Sequence, residues 1–282
     1  MQLAVDREQV RRVVDGWRQS GSTIAFVPTM GNLHKGHLAL ISTAQSEADR
    51  VVASIYVNPT QFGEGEDYAN YPRTFDDDSR SLESCGCDLL FAPGHTTVYP
   101  LGFENAIRLV APHDLASILE GRSRPGHFDG VVSVVARLFH LVRPDLAVFG
   151  EKDFQQLLLI RRLVDDLSLP VRIVSVPTVR ETSGLAMSSR NNYLDSEQRG
   201  AAASLSAVLA DAASRVGRQR GNWIQVEQWA MDELSKLGFR VDYVAVRTAA
   251  ELARPDVADA ELRILAAAWF GDVRLIDNMK II

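Results

Sequence analysis

The first two-thirds of this 282-residue chain alternates short β-branched runs with amphipathic stretches, and that alternation leaves few folds open. Strand patterns fall at 23–27, 51–57, 88–91, 146–149 and 171–176, and helical patterns at 38–48, 76–84, 131–141 and 154–167. Short, continuously apolar strands separated by helices predict a parallel sheet covered on both faces. Right-handed crossovers make this an α/β chain with a Rossmann-like, doubly wound parallel sheet, and such sheets bind ligands at the carboxyl ends of their strands.

After Pro177 the pattern changes. Residues 195–219 are alanine-rich and helical, and a second helix over 222–237 has Asn222 placed as N-cap and Gly238 as stop. Three strands follow at 241–247, 262–269 and 273–278. The expectation is a Rossmann-like domain over 1–177 and a smaller α+β lid domain over 178–282, hinged near 177–180. Residues 122–126 read as a mobile loop, and the acidic stretch 64–67 as a solvated one.

The net charge of -6 argues against nucleic acid as a partner. No apolar run is long enough for a membrane span, and residues 1–14 mix charged with apolar side chains, unlike a signal peptide. A cytoplasmic protein is expected. Cys85 and Cys87, in Cys-Gly-Cys, are poorly spaced for a disulfide and have no second pair for zinc; they read as reduced thiols.

Three segments carry chemistry. The first is Met30-Gly31-Asn32-Leu33-His34-Lys35-Gly36-His37, between the first strand pattern and the first helix. Free N–H groups and the positive helix end predict an anion site there, and His34 and His37 would share one face. Gly31 and Gly36 permit close approach by a ligand. Two histidines alone also read as ordinary helix-end residues, and a zinc reading would need His127 as a third ligand; no metal site is expected. The second is Gly150-Glu151-Lys152-Asp153, where a lysine after a strand can meet phosphate and an acid can orient a ribose. The third is Met187-Ser188-Ser189-Arg190, two hydroxyls and an arginine suited to phosphate oxygens.

Taken in order, the first and third segments resemble the HIGH and KMSKS signatures of the nucleotidylyltransferase superfamily. Within it the chain is similar to the pantoate–β-alanine ligase family along nearly its whole length. The resemblance rests on Pro28-Thr29-Met30-Gly31, His34-x-Gly36-His37, Asn58-Pro59-x-Gln61-Phe62, Gly121-x-x-Arg124-Pro125-Gly126-His127-Phe128, Phe149-Gly150-Glu151-Lys152-Asp153 and Leu185-Ala186-Met187-Ser188-Ser189-Arg190.

The resemblance implies a two-step reaction. Pantoate's carboxylate attacks ATP, giving pantoyl adenylate and pyrophosphate; the amine of β-alanine then displaces AMP, leaving pantothenate. Mg2+ accompanies ATP, and no tightly bound organic cofactor is implied. By motif match, residues 30–37, Gly150, Glu151, Lys152, Asp153, Val179, Met187, Ser188, Ser189 and Arg190 bind ATP. His37, His34, Lys152 and Arg190 are the catalytic candidates. Gln61 would hold pantoate and then β-alanine, and Gln155 pantoate. A homodimer is implied by the family alone. The chain departs from the family where alanine is common at Asn32 and glycine at Asn192; asparagine tolerates a left-handed backbone, so the turn at 192 should survive. Asp76–Asp78 read as a charged helix start, with magnesium as the alternative. A nucleotidyl transfer to phosphate would want a basic pocket in place of Gln61 and Gln155. An aminoacyl-tRNA synthetase would want room for an anticodon-binding domain. A nucleotide sensor would respond fully to ATP alone.

Overall fold

A computed structural model describes residues 1–63 and 65–282. In chain order its elements are β1 (Gln2–Ala4), α1 (Arg7–Gln19), β2 (Ile24–Thr29), α2 (Lys35–Glu47), β3 (Arg50–Ile55), α3 (Phe75–Ser84) and β4 (Leu89–Phe91). Three single turns follow, α4 (His95–Val98), α5 (His113–Ala116) and α6 (Glu120–Ser123). Then come α7 (His127–Val142), β5 (Leu146–Gly150), α8 (Phe154–Asp166) and β6 (Arg172–Val176). The remainder is α9 (Ser196–Ala202), α10 (Ser204–Arg218), α11 (Trp223–Lys236), β7 (Arg240–Thr248), β8 (Leu262–Phe270) and β9 (Val273–Ile281).

The chain divides into two compact units. The first comprises Met1–Glu151 and Leu159–Pro177; the second comprises Lys152–Leu158 and Thr178–Ile282. In the first, the described strands form a parallel sheet in the order β1-β4-β3-β2-β5-β6. The pleat sorts side chains with period two. Ala25, Val27, Val51, Ala53, Leu90 and Val148 join Ile41 and Ala44 of α2 and Leu82 of α3 in one core. Phe26 points the other way, onto Phe139 of α7, with ring centroids 6.4 Å apart. Strand order reverses between β2 and β5, so the turns that follow these two strands flank the topological switch point. They are the segments beginning at Met30 and at Glu151.

The second unit packs α10 and α11 on the antiparallel sheet β7-β8-β9, around Leu205, Leu209, Val226, Leu234, Ile264 and Leu275. Gly238 stops α11 as expected: it is left-handed, with φ 90, and Phe239 N donates back to Leu234 O at 3.0 Å. Asn222 makes no side-chain cap, against expectation; its amide donates to Gln219 instead. The alanine-rich stretch is two helices rather than one, broken at Ala203. Residues 122–126 are not a free loop: they include the end of α6, and Arg124 is anchored by side-chain bonds described below. No helix among the described residues is long and apolar enough to cross a membrane.

Candidate active site

The turn after β2 is held from inside. Thr29 donates its hydroxyl to Ser54 O at 2.6 Å and accepts from Gly31 N at 3.2 Å. Gly31 (φ 81) and Asn32 (φ 50) are both left-handed, which turns successive N–H groups to one side. Two of these N–H groups, ahead of the α2 N-terminus, are met by the protein's own carboxylate. Asp78 accepts from Asn32 N at 2.9 Å and Leu33 N at 2.7 Å, and from the Thr74 hydroxyl at 3.1 Å. Asp76, Asp77 and Asp78 lie in the first turn of α3, as expected of a charged helix start, and Asp78 among them is buried, at 3% exposure. Its position four residues before the buried Leu82, on the same helix face, is the signal that could have found it.

The N-terminus of α2 is not bare either. His34 Nδ1 accepts from Gly36 N at 3.1 Å, and His37 Nδ1 accepts from His34 N at 3.3 Å, a capping box built from imidazoles. A nitrogen that accepts from N–H carries no proton, so in these bonds the ring N–H is the one at Nε2. The rings stack with centroids 4.0 Å apart, which keeps the two histidines on one face as expected. Lys35, the first residue of this helix, is exposed.

Gln61 closes a 3-10 turn, Pro59–Gln61, after β3. Its orientation follows from Asn58, which is 1% exposed. Asn58 Nδ2 must face the Gly130 carbonyl, 3.3 Å away, while its Oδ1 lies 3.0 Å from the Tyr99 hydroxyl and 3.1 Å from that of Thr60. The same Nδ2 donates to Gln61 Oε1 at 3.2 Å. The Gln61 NH2 group is thereby left to point at Met30 Sδ, 3.1 Å away, a weak acceptor that a substrate oxygen can replace.

The main chain of Gln61 is fixed too. Its carbonyl accepts from His127 Nδ1 at 2.7 Å and Arg124 Nη2 at 3.3 Å. His127 Nε2 accepts from Arg124 Nη1 at 3.0 Å. Burial, and then the charge of Arg124, push the His127 pKa down to about 4, so the ring is neutral. Arg124 pairs with Glu66 through two bonds of 2.7 and 2.6 Å. Burial opposes ionisation of Glu66, but the bonds and charge of Arg124 prevail and hold it below the usual carboxylate range. The acidic stretch is therefore not simply solvated at Glu66; Glu64 lies outside the described residues. A cavity of about 260 Å³ adjoins Met30 and Gly31, lined also by Tyr56, Arg73, Asp78 and His95.

The other segments belong largely to the second unit. Gly150 ends β5, and Glu151–Asp153 form a 3-10 turn leading into α8, where Gln155 is buried. Glu151 accepts from the Ser175 hydroxyl at 3.3 Å within the first unit. In the second unit, Val179 O accepts from Met187 N at 3.0 Å, and Arg180 pairs with Ala186 in a backbone bridge. This small hairpin delivers Ser188, whose hydroxyl accepts from Arg190 N at 3.3 Å, and the 3-10 turn Ser189–Tyr193. Asn192 lies inside that turn without a left-handed backbone, so its tolerance for one is not used. Lys152, Ser188 and Asp277 line one small cavity of about 10 Å³. Among the described residues no three or more His, Cys, Asp or Glu side chains are grouped to hold a metal ion, so His127 does not complete a zinc site with His34 and His37.

A family model described as pantoate-beta-alanine ligase matches residues 2–280. A pantothenate synthetase of Thioalkalivibrio sulfidiphilus is 51% identical over 281 residues, 100% of this chain and 98% of that protein. One of Shewanella amazonensis is 51% identical over 272 residues, 96% of each chain. Among solved structures, pantothenate synthetase from Thermus thermophilus superposes with a TM-score of 0.92 at 45% identity, covering 100% of this chain and 99% of that one. Pantoate-beta-alanine ligase from Francisella tularensis, complexed with beta-gamma ATP and β-alanine, superposes at 0.83 with 36% identity, covering 99% and 97%.

Proposed function

The chain belongs to the pantoate–β-alanine ligase family, and from that premise we propose how its own residues divide the work of the reaction. It is an ATP-dependent ligase that joins pantoate to β-alanine. In the first step a pantoate carboxylate oxygen attacks the α-phosphorus of ATP and pyrophosphate leaves. In the second the β-alanine amine attacks the acyl carbon of pantoyl adenylate, AMP leaves, and the amine loses its proton.

The substrate brings its own nucleophile, so the protein has only to position groups and stabilise charge. That charge grows on the α-phosphate and the departing pyrophosphate. The single observation that best supports a residue assignment is the imidazole capping box. Backbone bonds to Nδ1 fix the orientation of each ring, so that the pair is preorganised toward the phosphates. We assign His34 and His37 to the phosphates, with His37 the proton donor. Lys152 and Arg190 add positive charge, and Ser188 and Ser189 add hydroxyl donors. Met30 to His37, Gly150, Glu151, Asp153, Val179 and Met187 complete the ATP contacts. Nucleotide enters as its magnesium complex, since Mg2+ is held chiefly by phosphate oxygens and water.

Gln61 is assigned to pantoate and then β-alanine, and Gln155 to pantoate. The outward NH2 of Gln61 suits carboxylate and hydroxyl oxygens, which accept. We place the protein in the cytoplasm, where ATP is made and where unpaired Cys85 and Cys87 stay reduced. A homodimer is part of the same reading. Leu101, Ile107 and Val110, at 73%, 84% and 82% exposure along one segment, support it, and sedimentation velocity measures it.

Purified protein is expected to release AMP and pyrophosphate from ATP only with pantoate, and to form amide only with β-alanine. Release of ADP, or turnover indifferent to pantoate, would overturn the reading. His37→Ala should slow single-turnover adenylate formation on the order of 100-fold, the loss seen when one fixed donor to a developing anion is removed. A near-normal burst of pyrophosphate would remove His37 from the mechanism.

A further inference from the structure

Lys152 and residues 187–190 are far apart in sequence, yet within the second unit one polar network reaches both. Arg180 pairs with Asp277 through bonds of 2.7 and 2.8 Å and donates to Gly184 O at 3.1 Å. Arg180 stands on the hairpin whose return strand continues into Met187–Arg190. Asp277 Oδ1 also accepts from Asn278 N at 2.7 Å. Asn278 then donates from Nδ2 to Lys152 O at 2.8 Å, and its Oδ1 accepts from Arg263 Nη1. The Arg263 guanidinium lies 3.8 Å from the ring centre of Phe154, two residues beyond Lys152.

Asp277 and Asn278 are each 3% exposed and Arg263 is 8% exposed; by the pleat, Asp277 shares the apolar face of Leu275 and Ile281, and Asn278 and Arg263 lie on the opposite face. Burying such groups is costly unless every bond is made, and packing alone would be served by aliphatic residues. What the polar set adds is a single geometry. Asn278 has one amide orientation, because its NH2 faces a carbonyl and its oxygen faces a guanidinium. Aspartate there would keep the Arg263 side and set a carboxylate against the Lys152 carbonyl.

We propose that Asp277 and Asn278 are positioning residues for the ATP-dependent step, holding the Lys152 turn and the 179–190 hairpin in fixed register so that Lys152 and Arg190 meet the same nucleotide. The inference rests on the assignment of both segments to ATP made above. Asn278→Asp should raise KM for ATP roughly three- to tenfold, the worth of one hydrogen bond, and slow single-turnover pyrophosphate release. KM for pantoate and for β-alanine should not move. In a Lys152→Ala background the same change should add less than about twofold, because the group it acts through is gone. Val226→Ala, in the apolar core of this unit, should lower Tm and leave KM for ATP unchanged. If Asn278→Asp does not fold, Arg180→Lys tests the same network by keeping the charge and losing the paired bonds to Asp277. The inference is overturned by an unchanged KM for ATP, by an equal rise in all three KM values, or by full additivity with Lys152→Ala. Failure of the ATP assignment looks different: Lys152→Ala by itself would then leave KM for ATP unchanged.

Discussion

His127 has both ring nitrogens committed in the neutral form, one to the Gln61 carbonyl and one to Arg124. Its pKa falls from the ordinary 6.5 to about 4 on folding. A depressed folded value means the unfolded chain takes the proton first. The contribution is therefore complete above about pH 6.5 and is lost as pH falls towards 4, roughly 3 kcal/mol in all. Denaturant midpoints should drop more steeply between pH 7 and 4.5 for the unmodified protein than for His127→Gln; equal slopes would contradict this. Asn32 is a second case. Its φ of 50 is one that alanine adopts poorly, so Asn32→Ala should cost about 1 kcal/mol and lower Tm by roughly 2–4 °C. An unchanged Tm would show that the left-handed turn is not a strain point. The histidines were legible in the sequence from their glycines and their place after a strand. Their capping role was not, because imidazole is absent from the usual capping set of hydroxyl and carboxyl side chains. Asp78 was hidden for a different reason: three adjacent aspartates look alike until the fold buries one of them.

Among the helices, α7 does the most to shape the Gln61 site, because Gly130 lets it press against the Pro59–Gln61 turn. A methyl group at Gly130 would come within 2.2 Å of Thr60 O, a backbone atom that cannot swing aside. Gly130→Ala should therefore displace the turn, costing about 1–3 kcal/mol and raising KM for pantoate more than KM for ATP. A stable variant with unaltered KM for pantoate would show that the Gln61 turn does not depend on this contact. The central strands were readable because burial on both faces leaves continuous apolar runs. β1 was not: it has three residues, of which one is buried. Nor was the break at Ala203, since alanine favours helix and gives no stop signal.

At the scale of the whole molecule, binding energy appears as stability. A ligand present at 100 times its Kd adds about 2.7 kcal/mol. ATP with pantoate should raise Tm clearly above ATP alone, whereas a protein that only senses nucleotide would gain nothing from the acid. The alternation of strands and helices, followed by helices and then strands, made two architectures visible in the sequence. It could not show that Lys152–Leu158 groups with the second unit, because nothing in a contiguous helix pattern marks where its contacts go. The same holds for the network around Asn278, whose members are polar residues on strands and reveal their partners only once paired.

The fixed amide of Gln61 bears on inhibition. A compound offering an acceptor there meets a donor that cannot turn away, since reversing the amide would undo the bonds that Asn58 makes with Gly130, Thr60 and Tyr99. A compound offering a donor meets a permanent mismatch. Resistance by reorienting the side chain is closed for the same reason, and resistance by replacing Gln61 would remove the group assigned to pantoate and β-alanine.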